Sequence, residues 1–234
     1  MKMEPVAKLY SVCCLMIILA LLSCPGCWPG RNRGSVIPET LEIRKVVIVG
    51  FMSALSPTDK PGIFTNPLSS SLVSAEPVPP GIVRRMNEIL LEKVSTQKNY
   101  DLISRKQAIG VYSRIIASDR DIAMAPMKVV RKLGRELNAD AVLLGYIYRW
   151  QERVGSDYAV KTPASVAFDL LLIRPDDGRI LWKSKFEKTQ KSLSENILDM
   201  STFLEAGGKW MKAADLAMIG LRKMIREMPS GTGS

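Results

Sequence analysis

No histidine occurs anywhere in the 234 residues, and that single absence closes several routes at once. Without imidazole there is no His-based general acid or base, no Ser/His/Asp or Cys/His nucleophile constellation, and no His-ligated metal site. Cysteine is almost as informative: Cys13, Cys14, Cys24 and Cys27 all fall in the first 27 residues, so the chain beyond them cannot be a disulfide scaffold. There is also no Gly-rich phosphate-binding signature, and no RNP, helix-turn-helix or zinc pattern of a nucleic-acid reader. No catalytic residue, metal, cofactor or nucleic-acid partner is therefore expected.

Positive charge is present in excess. The formal charge is +10, and the first 23 residues contribute only Lys2, Glu4 and Lys8, a net +1, so the remainder carries +9. Such a balance favours anionic neighbours, whether phosphate-bearing lipid heads, cell-wall polymers or nucleic acid, and location has to choose among them. Location is written at the amino terminus. Lys2 and Lys8 precede an uncharged apolar run, Leu9 to Leu22, of signal-peptide length rather than the length of a membrane span. That run closes in Leu21-Leu22-Ser23-Cys24, which resembles the bacterial lipobox: an apolar residue three positions before the cysteine, a small residue directly before it, then the cysteine that receives the lipid. The resemblance implies cleavage after Ser23 and acylation of Cys24 with palmitate-type chains, each buried CH₂ adding ~0.8 kcal/mol to membrane attachment. Cys27, after Pro25-Gly26, is the second and less favoured lipidation candidate. Pro25 is not the Asp that signals inner-membrane retention in enterobacterial lipoproteins, so the implied address is the outer membrane, facing the periplasm.

Beyond the leader (1–23), a Gly/Pro/Arg-rich stretch (24–44) reads as a tether. The folded part is expected over 45–228, with a flexible tail at 229–234. Val46 to Phe51 reads as a first, buried strand. From 52 to 81 six prolines and a serine cluster interrupt any period, and a loop of that length is either functional or disordered. Its apolar residues Ile63, Phe64, Leu68, Leu72 and Val73 are the candidate partner surface. Helical spacing then runs over Ile82 to Thr96, a short strand over Tyr100 to Ile103, and Ser104-Arg105-Lys106-Gln107 is a capping box opening the next helix. Pro126 begins a third helix ending near Asn138. On it Lys128, Arg131 and Arg135 form a candidate anion-facing ridge, with an ordinary solvated face as the plainer reading.

Ala139 to Tyr148, dense in aliphatic, β-branched and aromatic residues without proline, reads as the central strand. Val166 to Ile173 and Arg179 to Phe186 flank Pro175-Asp176-Asp177-Gly178, a turn in which Pro presets φ, Asp accepts turn hydrogen bonds and Gly supplies positive φ. A second capping box, Ser192 to Glu195, opens a helix stopped by Gly207-Gly208. A last amphipathic helix runs from Trp210 to Met228. The fold class this implies is α/β (α+β): a single domain with a mixed, mostly antiparallel sheet flanked by helices.

The lipobox, the aliphatic first strand, Tyr100-Asp101-Leu102-Ile103-Ser104-Arg105, the helix closing in Leu137-Asn138-Ala139-Asp140-Ala141-Val142-Leu143-Leu144-Gly145, and the hairpin Asp176-Asp177-Gly178-Arg179-Ile180-Leu181-Trp182 are together similar to a superfamily of bacterial envelope lipoproteins. It includes the curli secretion channel CsgG, the amino-terminal domain of TolB and the peptidoglycan-synthase activator LpoB. The resemblance spans about Lys45 to Met228 and implies close packing at Gly145 and a Trp182 lying on the sheet beside the last helices. Channel-forming members need membrane strands of ~9–11 alternating residues. The charged connection from Arg149 to Pro163 could not supply them, and prolines interrupt the 52–81 loop. The expectation is therefore a lipid-anchored binding or adaptor lipoprotein whose partner is an envelope protein or further copies of itself. The alternatives are a subunit of an oligomeric secretion or polysaccharide-export assembly and, from the enzyme class, a carboxylate-dependent periplasmic hydrolase. A pocket joining Asp169 or Asp140 to a second acid would favour the hydrolase.

Overall fold

A computed structural model describes residues 42–118, 120–155, 160–190 and 211–231. All belong to the compact unit Glu42–Ser234, which is separate from Met1–Leu41. The leader, most of the tether, Cys24 and Cys27, the second capping box and the helix after it, and Trp210 lie outside the described residues.

Five strands form the main sheet: β1 (Lys45–Ser53), β4 (Asp101–Ile103), β5 (Ala141–Gln151), β8 (Ser165–Ile173) and β9 (Ile180–Thr189), in the spatial order β4-β1-β5-β8-β9. β1 runs parallel to both β4 and β5, whereas β5-β8 and β8-β9 are antiparallel. The sheet is mixed and helix-flanked as the pattern implies, and most of its paired residues are antiparallel. β1 is the parallel part, because helical crossovers return the chain to its neighbours in the same direction.

Helix α1 (Pro80–Gln97) and helix α5 (Ala213–Glu227) cover one face; α2 (Arg105–Ser118) and α4 (Pro126–Glu136) cover the other, with the short α3 (Arg120–Ala123) between them in sequence. Local chemistry explains their ends. Pro occupies the first turn of both α1 and α4, where a missing N–H costs nothing. The Ser104/Gln107 box closes as the spacing predicts, Gln107 Oε1 accepting from the Ser104 amide at 3.2 Å.

β8 is buried at every position and is the centre of the core. Its residues alternate between the two helical layers. Phe168 meets Phe51 edge-on at 5.6 Å and Phe186 at 5.5 Å on the α1/α5 side, while Leu171 and Ile173 join Val130 and Leu133 of α4 on the other. Each fully buried aliphatic side chain contributes ~1.5–3 kcal/mol. Trp182, opposite Leu172 and half-buried, lies in the same row of β9 as Phe186, which packs on Gly220 of α5. That is the face the resemblance implied.

Two glycines let backbones meet. A Cβ on Gly145 would lie 1.9 Å from the carbonyl oxygen of Asp169, so β5 and β8 approach only because none is there. Gly50, with φ +85°, forms a bulge in β1. The buried Asn87 of α1 caps it, accepting from the Phe51 amide at 2.6 Å and donating to the Phe51 carbonyl at 3.1 Å.

The 52–81 segment departs from expectation. It contains a two-stranded ladder, β2 (Gly62–Thr65) and β3 (Leu72–Ala75). Pro61 precedes β2 and Pro67 lies in the turn, so neither removes a ladder hydrogen bond. The Arg149 to Pro163 connection likewise carries a short ribbon, β6 (Val154–Gly155) and β7 (Val160–Thr162). The strands of both ribbons are far shorter than the ~9–11 residues a membrane strand needs. Among the described residues no helix is long and apolar enough to cross a membrane.

Candidate binding surface on the β2-β3 hairpin

Alternation along β2 and β3 sorts the apolar residues of the 52–81 segment into two rows. Phe64 and Val73 face each other on the inner row, and Ala75 continues it. Phe64 packs on Tyr146 at 5.4 Å and Tyr148 at 6.0 Å, while Val73 and Ala75 are buried. Ile63, Thr65, Leu72 and Ser74 make the outer row, where Ile63 is 72% and Leu72 71% exposed. Of the five residues expected to form a partner surface, only Ile63 and Leu72 lie open to water. Leu68 and Val73 are core residues and Phe64 is half-buried, because strand pairing gives each side chain a face that an irregular loop would not.

Asn66 holds the turn. Its Oδ1 accepts from the amides of Leu68 (2.8 Å) and Ser69 (3.2 Å), and its own amide donates to the Ser71 carbonyl at 2.9 Å. The side-chain amide then reaches the main sheet, donating to the Tyr148 hydroxyl at 2.8 Å and to Asp169 Oδ2 at 3.0 Å. Asp169 also accepts from the Tyr148 hydroxyl (2.6 Å) and the Tyr146 amide (3.0 Å). Lys183 donates to Ser71 Oγ at 2.6 Å, fastening the far end of the turn to β9. After β3, the amide of Glu76 donates to the Tyr148 carbonyl at 2.8 Å.

Burial governs the titration of this network. It raises the pKa of Asp169, against the lowering influence of Tyr148, the Tyr146 amide, Lys183 and Asn66. Burial and the nearby Asp169 charge also push Tyr146 up to about 12, with Tyr112 adding to the effect, and burial together with the bond to Asp169 pushes Tyr148 well above the usual phenol range. Among the described residues Asp169 joins no second acid: its partners are an amide side chain, a phenol and a backbone N–H. Asp140 likewise accepts from the amides of Arg44 (2.9 Å) and Lys45 (2.8 Å). Among the described residues, the carboxylate pair that would favour a hydrolase is not formed at either position. Among the described residues no cluster of three or more metal-ligating side chains occurs.

Beside the hairpin, an apolar pocket of about 120 Å³ is lined by Leu68 from the turn, Val49, Met52 and Tyr146 from the sheet, and Tyr112 and Leu133 from the helices.

The basic ridge on α4 takes a different role from the one expected. Arg131 donates to the carbonyls of Pro175 (3.3 Å) and Asp176 (2.7 Å), and Arg135 to Asp176 at 2.6 Å. Two of the three cations therefore grip the β8-β9 turn, whose free carbonyls the tertiary fold brings within reach, while Lys128 is exposed to solvent. The Asn66–Tyr148–Asp169 network is not legible from local pattern. Its one signal in the sequence is an aspartate inside the otherwise apolar run of β8.

No family model matches the chain and no curated protein matches it. Among solved structures it is similar to the PelC dodecamer from Paraburkholderia phytofirmans, at 12% identity, with 81% of this chain and 90% of that chain covered and a TM-score of 0.43. Lipoprotein GNA1162 from Neisseria meningitidis aligns at 13% identity over 69% of this chain and 91% of that one, with a TM-score of 0.41. The LpoB C-terminal domain from Salmonella enterica aligns at 13% identity over 63% and 83%, with a TM-score of 0.35. At these scores the likenesses carry no argument about function.

Proposed function

We propose that this chain is a lipid-anchored, non-catalytic binding protein of the bacterial envelope, held through Cys24 at the periplasmic face of the outer membrane, and that the outer row of β2-β3 receives an envelope protein partner. The lipobox-like Leu21-Leu22-Ser23-Cys24 supports the anchor. The observation that carries the binding role is the hairpin, whose inner row and Asn66 are fixed on the sheet while Ile63 and Leu72 stand in water. Cross-strand diagonal neighbours of this kind offer one small apolar contact, and a two-stranded ladder leaves backbone edges for a further strand. Asp169, the buried acid, has its acceptor sites engaged by structural donors, which suits a scaffold better than a reacting group.

A photo-reactive residue placed at Ile63 or Leu72 in cells tests the reading. Adducts to one distinct envelope protein are expected. Adducts only to copies of the same chain would favour the subunit of an oligomeric export assembly instead, and adducts from control sites on β9 but none from the hairpin would refute the surface. Cys24→Ala is expected to abolish palmitate incorporation and membrane fractionation. Retention of both would refute the anchor.

A further inference from the structure

A second surface lies where the ends of α1 and α5 meet. An open groove of about 790 Å³ is lined there by Gln97, Lys98, Ile219, Arg222, Lys223 and Arg226. Four of these six are cations, and no carboxylate is among the described lining residues. Arg222, Lys223 and Arg226 are exposed. On α5 Arg226 lies one turn beyond Arg222 and Lys223 and neighbours both on the helix surface. Arg222 bonds the Met218 carbonyl one turn earlier, at 3.4 Å, and among the described residues neither Lys223 nor Arg226 has an acidic partner. Lys98 is buried, and its ammonium donates to the Met228 carbonyl, tying the end of α1 to the end of α5 and setting the groove's shape.

The groove sits where the chain enters the domain. The Asp101 amide donates to the Arg44 carbonyl at 2.7 Å and the Tyr100 amide to the Lys98 carbonyl at 3.0 Å, so chain entry and the end of α1 are neighbours. The Tyr100 hydroxyl donates to the Pro229 carbonyl, bringing in the end of α5. Chain between Cys24 and Glu42 can span about 60 Å at most.

We propose that this groove docks the domain against the anionic headgroup surface of the membrane, with Arg222, Lys223 and Arg226 meeting lipid phosphates. The choice of a lipid surface over a free anion rests on the anchoring of Cys24 proposed above. An open groove with its cations turned outward suits an array of headgroups, and basic residues beside an anionic leaflet are drawn to it within a Debye length.

The test uses the acylated full chain on phosphatidylcholine vesicles with or without phosphatidylglycerol. Acetylation of Lys223 by an amine-reactive ester is followed by mass spectrometry, with exposed Lys185 on β9 as internal reference. On anionic vesicles Lys223 is expected to react about tenfold more slowly than on neutral ones, with Lys185 unchanged. High ionic strength and the pair Arg222→Glu and Arg226→Glu should each restore its rate. Equal rates on the two vesicles, or equal slowing of Lys185, would overturn the proposal. Protection by inorganic phosphate without vesicles would replace it with a small-anion site. Flotation with neutral vesicles reads the anchor separately: a chain that fails to float has lost the anchor reading, while protection of Lys223 by added anionic vesicles still decides the groove.

Discussion

Two of the hairpins among the described residues, β2-β3 and β8-β9, are secured in opposite ways. The β8-β9 turn is specified by its own residues. The Arg174 amide donates to the Arg179 carbonyl and the Gly178 amide to the Arg174 carbonyl, both at 2.9 Å. Gly178 has φ +78°, and Asp177 binds Arg174 and the Arg179 amide. Those partners hold the Asp177 carboxyl well below the usual carboxylate range. The β2-β3 turn is specified from far away in sequence, by Asn66 reaching residues 82 and 103 positions distant. The turn contacts of one hairpin are local in sequence, whereas those of the other depend on side chains that β5 and β8 present.

Breaking the distant support should have the largest effect. Asp169→Ala removes the acceptor for Tyr148, Asn66 and the Tyr146 amide inside the core, and is expected to cost about 3 kcal/mol in urea unfolding of the full chain. The same residue gives the comparison a pH signature. Because its folded pKa is raised, the native state binds the proton more tightly than the unfolded one, so the contribution of Asp169 to stability is greatest below the ordinary carboxylate range and is lost as pH rises through the folded pKa. Asp169→Asn is expected to flatten that dependence, which unfolding midpoints across the acidic range would reveal. Asn66→Ala should cost about 2 kcal/mol, and hydrogen exchange should speed up over 62–75 while β8-β9 amides stay protected.

The locally coded hairpin should respond more mildly. Gly178→Ala forces a Cβ into a positive-φ position and should cost about 1 kcal/mol. Removing the clamp with Arg131→Gln and Arg135→Gln together should cost less than about 1 kcal/mol, since both bonds lie near the surface and the turn holds without them. A larger loss for the clamp than for Asn66 would reverse the contrast between the hairpins.

The legibility of each element in the chain obeys the same division. Helices opened by Ser104 and Pro126 could be placed because capping and proline effects act within one turn, and the helix over Ile82 to Thr96 because its apolar residues recur at helical spacing. The central strands could be placed because apolar density along a few residues is itself local. The β2-β3 ladder was hidden by its prolines, which count as breakers only if they fall inside a strand, and nothing near them says that they do not. Which of Ile63, Phe64, Leu68, Leu72 and Val73 face water depends on register, and a single-residue change in register exchanges the two rows. Likewise, Lys128, Arg131 and Arg135 share a helical face by spacing alone, yet what that face meets is settled by where α4 lies against the β8-β9 turn.

Composition, absence of histidine, confinement of cysteine to the amino-terminal stretch, the lipobox-like run, the order of most elements and the chemistry of the Pro175–Gly178 turn were determined by the chain itself, because each depends on residue identity or on neighbours a few positions apart. The parallel pairing of β1, the capping of its bulge by Asn87, the burial of Asp169 and the grouping of Lys98 with Arg222, Lys223 and Arg226 were decided only by tertiary structure. Those features join residues tens of positions apart, and no local preference encodes a distance of that kind.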